Sequence, residues 1–123
     1  MTFGEQLGIR HVSSEEGSAT VELDAGEQHL NQAGTVHGGV IASLVDSAMG
    51  AAVYSEADDD DDGRPATIEL KVSYLEPGQP GRLTCSAQVR KSGRRITIVE
   101  AEVQDGSGGA IALATGTFTS VSG

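Results

Sequence analysis

One stretch decides the fold: Asn31-Gln-Ala-Gly-Thr-Val-His-Gly-Gly39, followed directly by Val40-Ile-Ala-Ser-Leu-Val-Asp-Ser-Ala-Met-Gly-Ala-Ala-Val-Tyr54. Its first part is polar and punctuated by glycine, which predicts a loop. Its second part is nearly uncharged and, as a helix over residues 39–55, would be about 25 Å long at about 1.5 Å per residue. Apolar or small residues cover almost the whole circumference of that helix, so we expect it to be buried on nearly all sides.

Asp46 is the single charged residue of this apolar segment and stands near its middle. A carboxylate among apolar side chains is costly to keep ionised unless it has partners, and such carboxylates are common at functional sites. Asp46 is therefore the first candidate for chemistry. The alternative is an aspartate that faces solvent through a gap in the packing.

Strands are predicted on both sides of the helix from alternating apolar positions. They cover residues 9–14, 18–24, 67–75, 83–91, 94–104 and 110–121. Short connections between the last four favour an antiparallel meander. A single curved antiparallel sheet would then wrap one long central helix, which is an α+β arrangement. Residues 1–10 predict a short helical turn with Phe3 and Leu7 on one side.

In two of the predicted strands, the positions of the apolar residues indicate to which face the side chains point. In the strand over 67–75, strict alternation puts Ile68, Leu70, Val72 and Tyr74 on one face. In the strand over 94–104, the apolar positions shift phase after Ile98, which predicts a β-bulge or a bend at that point.

The composition limits the partners that the protein can have. The 123 residues are expected to form a single domain over 1–123 with a modest core. A formal net charge of −10 argues against nucleic acid and anionic membranes as partners. The acidic, lysine-poor composition is typical of a halophilic surface. No apolar run reaches the roughly 18 residues of a membrane span, so a cytoplasmic protein is expected.

Two further features predict structure rather than chemistry. Cys85 is the only cysteine, which excludes an intrachain disulfide and favours a reducing location; its alternating surroundings predict a core residue. The run Asp58–Asp62 predicts a solvated surface loop, because adjacent like charges repel. Metal-binding loops separate their ligands with other residues and a turn glycine, so no metal site is predicted there.

The polar loop and the helix together resemble a known signature. Asn31, Gly34, the triplet His37-Gly-Gly39 and Asp46, nine residues after the histidine, resemble the pattern of hotdog-fold acyl-CoA thioesterases of the phenylacetate-degradation (PaaI-like) type. The similarity continues through the downstream strands and covers about residues 25–120. It implies the hotdog fold, one long central helix wrapped by a curved antiparallel sheet.

The resemblance implies a role for five residues. Asp46 would be the general base or the nucleophile, and the backbone N–H of Gly38 the oxyanion donor. Asn31 and His37 would polarise the substrate or handle the thiolate leaving group, and Thr67 would orient the water. Structural alternatives stay open, because His37 could only brace the loop, Asn31 only hold a turn, and Thr67 only be a common strand residue.

The resemblance also implies an assembly. It predicts a homodimer with two sheets joined edge to edge and two helices side by side, and tetramers of such dimers are common in the family. Each active site would lie at the interface, with Asp46 from one subunit and the loop 31–38 from the other. No separate cofactor and no metal are expected, because CoA is part of the substrate.

One basic cluster interrupts the acidic sequence, around the turn Ser92-Gly93. We predict that part of it contacts the phosphates of CoA, with a solvated hairpin tip as the alternative. The cluster consists of Arg90, Lys91, Arg94 and Arg95.

The sequence thus predicts an acyl-CoA thioesterase for aryl or medium-size acyl groups. A serine hydrolase is disfavoured, because no Gly-x-Ser-x-Gly motif is present. An acyl-thioester dehydratase or hydratase is an alternative, although such relatives usually carry Asp and His on the helix itself, whereas His37 precedes it. A non-catalytic acyl-CoA-binding hotdog module is the second alternative.

Overall fold

The computed structural model describes residues 1–57 and 64–121. The predicted acidic loop at Asp58–Asp62 lies outside the described residues. Within these two ranges, two α-helices, one 3-10 turn and six strands follow one another. Their bounds are α1 Phe3–Leu7, β1 Arg10–Glu15, β2 Ser18–Ala25, the 3-10 turn Glu27–His29, α2 Gly38–Tyr54, β3 Arg64–Tyr74, β4 Gly81–Ser92, β5 Thr97–Gln104 and β6 Ala110–Val121.

The six strands form one sheet in the order β1-β2-β4-β5-β6-β3, and every pairing is antiparallel. This confirms the predicted α+β arrangement of one long helix against one antiparallel sheet. The predicted four-strand meander is wrong in one respect. β4, β5 and β6 are consecutive neighbours, but β3 pairs with β6 at one edge, because residues 75–80 carry the chain back across the sheet.

The helix α2 packs one face on the sheet. The residues of that face are buried, namely Val40, Ile41, Leu44, Val45, Ala48, Met49, Ala52 and Val53. The opposite face carries small or polar residues that are not buried, including Ser43, Asp46, Ser47 and Gly50. The prediction of a helix buried on nearly all sides is therefore wrong for the single chain, because one sheet covers only one side of a helix.

Close contact between α2 and the sheet depends on a glycine in β6. A Cβ atom added at Gly116 would lie 2.6 Å from Sδ of Met49, which is itself fully buried. Real Cβ contacts do not approach this distance, so any side chain at Gly116 would displace the methionine or the strand.

Cys85 on β4 lies in the same core, as predicted, and burial raises the pKa of its thiol to about 12.

The β-bulge or bend that was predicted in the strand over 94–104 is found in the neighbouring strand β4. β5 begins at Thr97 and keeps its alternation, with Val99 buried and Ile98 exposed. The extra residue is Arg90 in β4, because Val89 pairs with Val99 whereas Lys91 pairs with Ile98.

In the described residues, no helix is long and apolar enough to cross a lipid bilayer.

Candidate active site

A hydrogen bond joins the helix to the edge strand at the centre of the candidate site. Oγ1 of Thr67 on β3 donates to Oδ1 of Asp46 on α2 at 2.6 Å. Asp46 is half-buried on the open face of α2. Asp46 therefore has a hydrogen-bond partner, Thr67, which the resemblance had also indicated, and its catalytic role stays a prediction.

A β-bulge lies next to Thr67 in the strand. Thr67 pairs with Phe118, and Glu69 pairs with Thr117, so Ile68 is an extra residue without a partner in the ladder. Its side chain is 55% exposed. The prediction that Ile68 shares the face of the apolar positions after it is therefore wrong.

The bulge brings Thr67 to the helix. Residues directly opposite in an antiparallel pair point to the same side of the sheet. Thr67 pairs with Phe118, which is buried against α2, and Leu70 pairs with Gly116 on the same side. A strand of strict alternation would instead point residues 67 and 70 to opposite faces. The inserted residue Ile68 changes the phase, so that Thr67 reaches Asp46.

The N-terminus of α2 is the second part of the candidate site. His37 is the N-cap residue, and its Nδ1 accepts the N–H of Gly39 at 2.8 Å. Gly38, the first helical residue, has no acceptor for its N–H within the described residues. Such unpaired N–H groups carry the positive end of the helix dipole. Tyr74 fixes this turn from β3 by donating from its hydroxyl to the carbonyl of Gly38 at 2.6 Å.

The side chain of Asn31 organises the loop that precedes the helix. Its Oδ1 accepts the N–H groups of Ala33 at 2.9 Å and Thr35 at 3.2 Å, and its Nδ2 donates to Oγ1 of Thr35 at 2.9 Å. The loop-holding interpretation of Asn31 is thus visible in the structure, and its contact with substrate stays a prediction.

Within one chain, the two parts of the site do not meet. Gly38 and Asp46 are eight residues apart on α2, which corresponds to about 12 Å along the helix axis. Asp46 and Thr67 line one surface hollow, whereas Gly38 and Tyr74 line another. A thioester carbonyl cannot contact Asp46 and the Gly38 N–H of the same chain at once.

The basic cluster lies on the hairpin between β4 and β5, and all four of its side chains are exposed. Arg90 forms an ion pair with Glu100, whose Oε2 lies 3.8 Å from Nε of the arginine. Arg94 lines a hollow with Tyr54 and Glu56 at the C-terminal end of α2. The cluster therefore flanks the end of the helix opposite to Gly38.

Two residues of the site region were not identified as functional from the sequence. Tyr74 was predicted on the same face of its strand as Leu70 and Val72, and its hydrogen bond to the carbonyl of Gly38 depends on tertiary structure that the sequence pattern does not show. His29 is buried, accepts the N–H of Gly26 on Nδ1 at 2.9 Å and donates from Nε2 to the carbonyl of Leu7 at 2.7 Å. Its own carbonyl accepts the N–H of His37 at 2.8 Å. For His29, the signal available in the sequence was a histidine placed just before the polar loop.

Comparison with known families identifies the chain. The family described as the thioesterase superfamily matches residues 33–112, which include the loop from residue 33 onwards, all of α2 and the strands β3, β4 and β5. The chain belongs to the thioesterase superfamily. This match, together with the relatives described next, confirms the predictions of a PaaI-like hotdog fold and of a thioester hydrolase.

Three relatives resemble this thioesterase over most of its length. A conserved protein from Pseudomonas aeruginosa has 35% identity and a TM-score of 0.91, covering 98% of this chain and 94% of its own. The acyl-coenzyme A thioesterase PaaI of Escherichia coli is 33% identical over 89% of this chain and 76% of its own; its structure has a TM-score of 0.89, covering 98% of this chain and 84% of its own. A Streptococcus mutans protein whose structure was solved bound to acetyl-CoA has 26% identity and a TM-score of 0.84, covering 92% of this chain and 88% of its own.

Proposed function

We propose that this thioesterase hydrolyses the thioester of aryl or medium-size acyl-CoA, releasing the free acid and CoA. The observation that carries the proposal is the hydrogen bond from Thr67 to Asp46 on the open face of α2. The Escherichia coli relative is an acyl-coenzyme A thioesterase, which supports CoA as the thiol part of the substrate. The reaction needs only water besides the enzyme, so the proposal includes no cofactor or metal.

Asp46 acts as the general base for water or as the nucleophile on the thioester carbonyl. The Thr67 hydroxyl engages Oδ1, and Oδ2 has no donor among the described residues, so one oxygen is oriented while the other is available. A thiolate is a good leaving group, which makes a lone carboxylate sufficient without a serine triad. Thr67 would also contact the attacking water.

The backbone N–H of Gly38 stabilises the negative charge that develops on the thioester oxygen. It is unpaired and belongs to the first turn of α2, so hydrogen bonding and the helix dipole act in the same direction. One oxyanion donor typically contributes about 2.7–4 kcal/mol to transition-state stabilisation. The largest single rate effect outside Asp46 is assigned to this group.

His37 and Asn31 assist the thioester and its leaving group. Because Nδ1 of His37 accepts a backbone N–H, the proton of a neutral ring lies on Nε2, and this exposed N–H can donate a hydrogen bond to the thioester oxygen or the thiolate. Asn31 donates only one of its two amide hydrogens within the loop, so the second is available to the substrate.

Two chains complete each site in this proposal. Within one chain, the oxyanion donor Gly38 lies about 12 Å along α2 from the carboxylate of Asp46. The small, polar open face of α2 permits a second helix to approach, and β3 lies at the sheet edge, where its backbone can pair with a second β3. We therefore assign a homodimer as the working unit, with a tetramer of such dimers as the larger assembly.

The basic cluster Arg90, Lys91, Arg94 and Arg95 is assigned to the phosphates of CoA, to which guanidinium groups donate well. The matched test is the affinity for free CoA of an Arg94→Ala/Arg95→Ala double variant beside an Arg10→Ala variant, whose arginine lies on β1. A loss confined to the hairpin variant supports this assignment, and equal affinities would remove it.

The proposal is tested by free-thiol release from a panel of acetyl, hexanoyl, arylacetyl and palmitoyl thioesters of CoA. The assay is run in high salt, because an acidic chain of net charge −10 is less self-repelling there. We expect the highest kcat/KM for the arylacetyl and hexanoyl substrates. Highest turnover on palmitoyl-CoA would contradict the acyl class, and no turnover on any member would favour a binding module.

A further inference from the structure

Phe3 is an exposed aromatic residue that the proposed mechanism does not use. Its side chain is 65% exposed, whereas the other phenylalanine, Phe118, is 2% exposed in the core. The ring lies on the short helix α1 and lines the same surface hollow as Asp46 and Thr67. An exposed aromatic ring beside a reactive carboxylate has apolar surface available for a ligand.

The hollow is an open depression of the surface whose lining combines apolar and polar side chains. Its volume is about 320 Å³, and apart from Phe3 its walls come from α2 and β3. Ala42 and Leu70 supply apolar surface, and the remaining lining residues supply polar groups, namely Ser43, Asp46, Ser47 and Thr67. Small-molecule sites typically combine apolar walls with a few polar groups in this way.

The position of Phe3 is fixed although no residue of α1 is buried. Oγ1 of Thr2 caps the helix by accepting the N–H of Glu5 at 3.2 Å, and Gly8 ends it in the left-handed conformation with φ of 85°. Nε2 of the buried His29 donates to the carbonyl of Leu7 at 2.7 Å. The carbonyl of His29 in turn accepts the N–H of His37, so one residue ties α1 to the start of the catalytic helix.

We infer that Phe3 is a specificity-determining residue, whose ring forms the outer wall of the acyl pocket beside Asp46. The inference rests on the proposed function and deepens it. An acyl group attached at the thioester beside Asp46 would extend along Ala42 and Leu70 and be covered by the ring. We expect aryl and medium-size acyl groups, which extend further from the thioester, to contact the ring, and the two-carbon acetyl group not to contact it.

The test compares kcat/KM for arylacetyl-CoA, hexanoyl-CoA and acetyl-CoA in Phe3→Ala, Phe3→Leu and a control, Val12→Ala. Val12 is an exposed apolar residue on β1 outside the hollow. Phe3→Ala should lower kcat/KM about tenfold or more for the two larger substrates and less than about twofold for acetyl-CoA. Phe3→Leu should be intermediate, and the control should keep wild-type ratios. An unchanged ratio in Phe3→Ala would overturn the inference.

A binding measurement separates this inference from the proposed function. The affinity of the wild type and of Phe3→Ala is measured for a hexanoyl-CoA analogue in which a thioether replaces the thioester. If no thioester is hydrolysed but Phe3→Ala weakens analogue binding, the hydrolytic proposal fails and Phe3 is kept as an acyl contact. If thioesters are hydrolysed and both affinity and substrate ratio are unchanged in Phe3→Ala, only the role of Phe3 fails. Equal analogue affinities without hydrolysis would overturn both.

Discussion

Thr67 and Asp46 are joined by a 2.6 Å hydrogen bond between the edge strand β3 and the helix α2. The bond exists because Ile68 is an extra residue in the strand and turns Thr67 towards the helix. A β-bulge that re-aims a side chain next to an active site is a recurrent use of this irregularity. The orientation of the candidate carboxylate thus depends on one inserted residue of the strand.

Thr67→Val should reduce kcat more than it affects folding. The substitution removes the hydroxyl while keeping the side-chain shape, so Asp46 loses the donor that orients Oδ1. We expect kcat to fall about 10- to 100-fold, the scale on which misplaced catalytic groups cost activity. Thr67→Ser keeps the hydroxyl and is the matched control, with most activity retained. Equal kcat in the valine and serine variants would exclude the orienting role of Thr67.

The oxyanion role of Gly38 can be separated from its conformational role. Proline at the first helical residue removes the N–H without breaking the helix, and His37 before it has φ of −58° and ψ of 133°, which suits a residue preceding proline. Gly38→Pro should lower kcat about 10²- to 10³-fold. Gly38→Ala keeps the N–H, adds the same Cβ beside Tyr74 and should lose far less. If both variants lost activity equally, crowding against Tyr74 would account for it and not the lost donor.

Sites built from two chains should be rescued by mixing two inactive variants. In a mixed dimer of Asp46→Asn and Gly38→Pro, one site holds both changes and the other holds neither. After dissociation and reassociation of equal amounts, thiol-release activity should rise to about a quarter of the wild-type value, the share of intact sites for random pairing of a C2 dimer. No increase over the separate variants, with mixed dimers present by native mass spectrometry, would place each site within one chain.

Acid should weaken the folded state partly through Asp24 on β2. Arg10 and Arg82 donate hydrogen bonds to its carboxylate, which lowers the pKa of Asp24 below its ordinary value of 3.8. A lowered folded-state pKa contributes stability above the unfolded value, and this contribution is lost as the pH falls through the folded-state pKa. Urea unfolding of the wild type and Asp24→Asn at fixed salt should show a wild-type advantage that shrinks below pH about 4. A difference independent of pH would contradict the effect.

The fold was largely predictable because its strongest signals are local. The helix predicted over 39–55 is observed over Gly38–Tyr54, and Cys85 lies in the core as its alternation predicted. The pairing of β3 with β6 was not predictable, because the short connection to β4 favoured a meander and the actual order depends on contacts between distant strands. The open face of α2 was missed for a related reason, since composition alone does not reveal how many sides of a helix one sheet covers.

The residues of the candidate site were named from the resemblance and their roles stay predictions, whereas the geometry between Asp46 and Thr67 could not be predicted. Asp46 and Thr67 were both named from the sequence, yet strict alternation put Thr67 and Leu70 on opposite faces. The apolar positions 68, 70 and 72 alternate without interruption, so the bulge at Ile68 has no local signal. Only the register against β6 reveals it.

The most direct test of the account is single-turnover thiol release by Asp46→Asn with an arylacetyl-CoA substrate. The amide is nearly isosteric with the carboxylate and can still bond to Thr67, but it supplies neither a general base nor a carboxylate nucleophile. We predict that the rate falls by about 10²-fold or more, while binding of free CoA is unchanged. A wild-type rate in Asp46→Asn would contradict the account and move the chemistry to another group.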